Sequence, residues 1–82
     1  MSANDKLLDK ICRNPRDVRF EDACKAAELI GFAPQPKRGT SHRIFKRPGE
    51  IMQFNFQDRK GKIATYQAEQ LVTMIEKYRV TK

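Results

Sequence analysis

The 82-residue chain has no tryptophan, one histidine, two cysteines and only ten acidic residues against seventeen lysines and arginines. Each scarcity excludes something. Two cysteines cannot build the disulfide framework of a small secreted domain. Cys12 and Cys24 stand in helix-like segments and read as reduced packing residues. Together with His42 they fall short of the four nitrogen and sulfur ligands of a structural zinc site, so no metal and no cofactor is expected. No apolar run approaches the roughly 18 residues of a membrane span. Met1 to Lys10 alternates charge around Leu7 and Leu8 and lacks the apolar stretch of a secretory signal. The expectation is a soluble, cytoplasmic protein with no membrane partner. There are no repeats, no low-complexity tract and no linker long enough to divide domains. The length supports one small domain whose core has few residues to spare for lining a large substrate cavity.

What is present is a basic excess with an address. The formal net charge is +7. Residues 1–36 hold six basic and six acidic groups and net to zero, whereas residues 37–62 hold eight basic and two acidic groups. Lys37–Arg47 is the densest part, with five basic groups, the only histidine and no acid. Such a stretch attracts phosphate backbones and steers polyanions.

Residues 3–13 read as a first helix through the stripe Leu7, Leu8, Ile11, Cys12, and Asn14-Pro15 ends it. Residues 20–30 read as a second, with Ala23, Cys24, Ala27 and Ile30 on one face. Gly31 follows at the position after the cap, and Phe32 folds back on the last turn. Phe32–Pro36 reads as a ragged edge strand, because two prolines remove ladder donors. Residues 42–47 form the next strand, with Ile44 and Phe45 on opposite faces. Pro48-Gly49 suits the centre of a type II turn. Residues 51–56 alternate, with Met52, Phe54 and Phe56 on one face and Ile51, Gln53 and Asn55 on the other. Asp58–Lys62 is a basic loop. Residues 65–79 form the last helix, with the stripe Ala68, Leu71, Val72, Ile75, Tyr78. The fold class is therefore α+β, in the order α-α-β-β-β-α. It has a three-stranded antiparallel sheet with helices packed on one face.

The candidate site is the segment Lys37-Arg38-Gly39-Thr40-Ser41-His42-Arg43-Ile44-Phe45-Lys46-Arg47. Gly39 permits a tight turn with exposed backbone N–H groups. Thr40 and Ser41 add hydroxyls. His42 stands at the mouth of a strand, flanked by guanidinium and ammonium groups. A phosphodiester could lodge there, and imidazole is a usable proton-transfer group near neutral pH. The bland reading is a surface histidine in a hydrophilic hairpin.

This segment resembles the Gly-Ser-His-x-x-Phe region of the HicA family of toxins. The likeness extends to Arg19-Phe20-Glu21 through Ile30-Gly31-Phe32, to Gly61-Lys62 and to Tyr66-Gln67, and covers residues 18–78. The resemblance implies a double-stranded-RNA-binding-domain-like fold and an mRNA interferase activity, an endoribonuclease of a toxin-antitoxin system. It also implies a HicB-like antitoxin as partner. His42 matches the family's active-site histidine; Gly39, Thr40 and Ser41 match the turn that presents it. Arg43 stands where the family often has a second histidine, and Thr40 separates Gly39 from the Ser-His pair. Residues 1–15 are then an N-terminal helical extension of a single HicA-like domain spanning 1–82. The expected RNA-binding groups are Lys37, Arg38, Gly39, Thr40, Ser41, Arg43, Lys46 and Arg47.

Other residues carry two readings. Phe54 and Phe56 are either core or base-stacking platforms, and their shared face with Met52 favours core. Tyr66, at the start of the last helix, packs half-buried or touches a substrate. Glu69 and Glu76 read as a solvated face. Arg59, Lys60 and Lys62 either extend the RNA track or solvate a loop. The alternative function is a non-catalytic RNA-binding module. The last helix lacks the basic cluster usual in such modules, which counts against it. A DNA-binding regulator is disfavoured, because no helix offers a convincing recognition face.

Overall fold

The computed structural model describes residues 3–36 and 42–78. Helix α1 (Ala3–Arg13) buries Leu8 and Ile11. Its last turn closes with the Asn14 N–H donating to the Lys10 carbonyl at 3.1 Å, and Pro15 stops it. Helix α2 (Phe20–Leu29) buries Ala23, Ala26 and Ala27 completely. These small side chains let neighbouring elements approach closely. Helix α3 (Thr65–Tyr78) buries Gln67, Ala68, Leu71, Met74 and Ile75. Helix α1 packs against α2 and α3, and α2 and α3 cover the sheet. No described helix is long and apolar enough to cross a membrane.

Helix α2 ends one residue earlier than its periodicity predicts. Ile30 is the C-cap, with φ −100° and ψ 17°. Gly31 follows at φ +96°. The Gly31 N–H donates to the Glu28 carbonyl at 3.1 Å and the Phe32 N–H to the Ala27 carbonyl at 2.9 Å. This paired closure is a Schellman motif, and it turns Phe32 into the core. The positive φ requires Gly31, and a Cβ there would also meet Arg47 Nε at 3.0 Å, so the arginine would have to give way.

The sheet is antiparallel, in the order β1-β2-β3. Strand β1 (Ala33–Pro34) is short and pairs with β2 (His42–Lys46), placing Ala33 opposite Lys46. The Gln35 N–H extends the pairing to the Ile44 carbonyl at 2.8 Å. Strand β3 (Phe54–Gln57) pairs with β2, with His42 opposite Gln57 and Phe45 opposite Phe54. Phe45, Phe54 and Phe56 are fully buried on the helix side, where Phe54 stacks on Phe56 at 5.0 Å and lies 4.6 Å from Phe32. Phe54 and Phe56 are therefore core and not stacking platforms.

The turn after β2 follows its sequence. Gly49 has φ +83°, and the Glu50 N–H donates to the Arg47 carbonyl at 3.0 Å. The strand predicted from residue 51 nonetheless begins only at Phe54, and Ile51 is fully exposed. The physical reason is Glu50. Its Oε2 accepts the Met52 N–H at 3.1 Å, while Oε1 accepts from Lys77 Nζ at 2.8 Å and from the Tyr78 hydroxyl. Residues 50–53 are thereby drawn toward the end of α3 and out of the ladder. Arg47 completes the clamp. Its Nε donates to the Ile30 carbonyl at 3.2 Å, and its guanidinium lies 4.0 Å from the Tyr78 ring centre.

The Lys77 ammonium, the Tyr78 hydroxyl and the Met52 N–H hold the Glu50 carboxyl at a pKa of about 2, below its ordinary 4.5. The clamp's contribution to stability is therefore complete above pH 4.5 and disappears as pH falls toward 2. Thermal unfolding followed across that interval should show Tm of the wild type falling more steeply than that of Glu50→Gln. The variant should already be less stable at neutral pH.

Candidate functional site

The β pleat sorts the basic segment onto two faces. Phe45 points into the core, so Arg43 and Arg47 share its side and His42, Ile44 and Lys46 take the other. Asn55 and Gln57 stand opposite Ile44 and His42 and belong to that second face. No described helix covers it, and His42, Lys46 and Asn55 are exposed on it.

His42 is held in place. Its Nδ1 lies 3.0 Å from Asn55 Oδ1. With the amide oxygen as acceptor, the hydrogen bond is made by the tautomer that carries its proton on Nδ1. Asn55 is in turn anchored through its backbone, because its carbonyl accepts from Gln67 Nε2 on α3. The fixed core face of α3 thus sets the position of the side chain that orients the imidazole.

The turn after β3 brings a cation to the same end. Lys60 and Gly61 have φ 56° and 85°, both positive as a type I′ turn requires. Arg59 and Lys62 close this turn, the Arg59 N–H donating to the Lys62 carbonyl at 2.8 Å. Asp58 Oδ1 secures it by accepting the Gly61 N–H at 2.7 Å. Arg59 Nη2 then reaches, at 3.5 Å, Oε1 of Gln57, the residue that pairs with His42 across the strands. Lys62 turns away and pairs with Asp17 at 2.6 Å, which lowers the Asp17 pKa.

Of the residues expected at the site, His42 and Lys46 lie on the open face. Arg43 is half-buried on the helix side, where it borders Phe20, Glu21 and Cys24. Arg47 is engaged by Ile30 and Tyr78. Lys37, Arg38, Gly39, Thr40 and Ser41 lie outside the described residues. Asn55 was legible only as a polar-face residue of its strand; its role depends on the register. Burial pushes the Cys24 thiol up to about 11, so it is a protonated packing group at neutral pH. Among the described residues no three His, Cys, Asp or Glu side chains gather as metal ligands would.

The site is thus an oriented imidazole on a solvent-facing sheet, with a guanidinium at its cross-strand neighbour Gln57 and an ammonium further along β2. It can take or give a proton next to a bound anion. The chain matches no protein-family model, no curated protein and no solved structure.

Proposed function

We propose that the protein is a HicA-like endoribonuclease toxin that cuts mRNA with His42. In this reading it has a double-stranded-RNA-binding-domain-like fold, acts in the cytoplasm and is neutralised by a HicB-like antitoxin. The observation that carries the reading is His42, placed on the sheet face that no described helix covers, with its ring held by Asn55. RNA supplies its own nucleophile. The 2′-hydroxyl oxygen attacks the adjacent phosphorus while His42 Nε2 takes the hydroxyl proton. The phosphorus–O5′ bond breaks, and the leaving oxygen takes a proton from water. The products are a 2′,3′-cyclic phosphate and a 5′-hydroxyl. Arg59 stabilises the charge that builds on the phosphoryl oxygens. With one histidine and a solvent-open site, turnover is modest. An acidic antitoxin surface laid over the same basic face would block substrate and complement its charge.

Asn55 acts as a positioning residue. Asn55→Ala should lower kcat by roughly 10- to 100-fold with KM little changed. Asn55→Asp keeps the acceptor and should recover most of kcat. Its added negative charge favours the imidazolium, so the acidic limb of the pH–rate profile should move to higher pH. A merely structural asparagine would move neither the profile nor the balance between kcat and KM.

Expression in a bacterial host tests the function as a whole. Wild-type chain should arrest growth, and His42→Ala at equal abundance should not. Equal harmlessness of the two, with RNA binding retained, would mark a non-catalytic binding module instead.

A further inference from the structure

The open face of the sheet continues past His42 to a second feature. At the hairpin end lies a groove of about 530 Å³ bordered by Ala33, Gln35, Lys46, Pro48, Ile51 and Gln53. That size lies within the range of small-ligand pockets. Its apolar rim is unusual, because Ile51 is fully exposed at a point where the sequence alternation alone would continue a strand. Pro48 adds a second apolar surface. Gln53 places an amide at the border, and Gln35 adds its amide oxygen while its Nε2 donates to the Ala33 carbonyl at 3.0 Å; amides are the kind of group that reads base edges. Glu50 and Arg47 also line the groove, but the Glu50 carboxylate faces Lys77 and Tyr78, and Arg47 faces Ile30 and Tyr78. The charge turned outward here is Lys46. It lies four residues from His42 on the same face of β2, a separation of about 13 Å along the strand.

We infer that this groove is a subsite for an unpaired base of single-stranded RNA, in the same strand whose scissile phosphate lies at His42. The inference rests on the RNA reading of the preceding section and adds where specificity resides. The base lies against Ile51 and Pro48, the amides of Gln35 and Gln53 face its edge, and Lys46 holds the phosphate between the two positions. Double-stranded RNA presents no splayed base to such a groove, so the preferred substrate is single-stranded.

The test is a fluorescence anisotropy titration of the full chain carrying His42→Ala, which prevents cutting. The probes are a labelled single-stranded RNA long enough to span both positions and a labelled dinucleotide that reaches only one. Adding Ile51→Ala and Gln53→Ala should weaken the longer RNA about tenfold and leave the dinucleotide unchanged. Ile51→Phe should tighten the longer RNA, because a ring offers a better stacking surface. These positions are solvent-exposed, and circular dichroism should show an unaltered fold. Unchanged affinity for the longer RNA, an equal loss on both probes, or no RNA binding by the parent would each overturn the subsite. The cleavage reading is judged separately with His42 restored. A chain that binds the RNA through the groove and leaves it intact would contradict cleavage alone.

Discussion

His42→Ala is expected to lower RNA cleavage by about 10²–10⁴-fold while leaving RNA affinity and thermal stability nearly intact. The effect is large because no other imidazole exists in the chain. The neighbouring cations are permanently charged or strongly basic and cannot take the hydroxyl proton near neutral pH. The Cys24 thiol cannot substitute, since its pKa of about 11 keeps it protonated. Stability should hold because His42 is exposed. Its pairing with Asn55 lies at the surface, where water replaces the lost partner. Single-turnover cleavage, RNA titration and a melting curve on the same preparation separate these quantities.

Phe54→Ala should have the largest effect on the fold, a loss of about 3–5 kcal/mol. Phe54 is fully buried between Phe32 and Phe56 and pairs with Phe45 across the strand. The core is small, so the lost ring cannot be replaced by relaxation of distant side chains. An 82-residue domain has about 4–12 kcal/mol of total stability at typical values per residue. At the lower end of that range the alanine variant sits at the edge of unfolding. Phe54→Leu keeps most of the volume and should cost under about 1.5 kcal/mol. Denaturant unfolding of both variants, with unchanged slope for the leucine, checks the prediction.

The helices were legible because their signals are local. Asn14-Pro15 ends α1, and Gly31-Phe32 ends α2 through backbone bonds that span a single turn. The start of β3 was not legible, because what displaces residues 51–53 is a contact between Glu50 and Lys77, 27 residues apart. Alternation within the segment continues unbroken and carries no trace of it. At the site, His42 stood out as the lone histidine at a strand mouth. The sidedness of the basic segment was also available in principle. Once Phe45 points into the core, Arg43 and Arg47 must share its side, and the count of eight basic groups overstates what faces outward. Asn55 could not be paired with His42 from sequence, since that depends on a register fixed by the clamp and by the length of the connection it bends.

On the proposed function, the oriented imidazole of His42 cuts RNA. Incubation of the purified chain with a defined single-stranded RNA, scored for the chemistry of the new ends, tests it most directly. Wild type should yield 2′,3′-cyclic phosphate and 5′-hydroxyl ends, and His42→Ala should yield neither. RNA left intact by the wild type, or equal cleavage by the variant, would contradict the account.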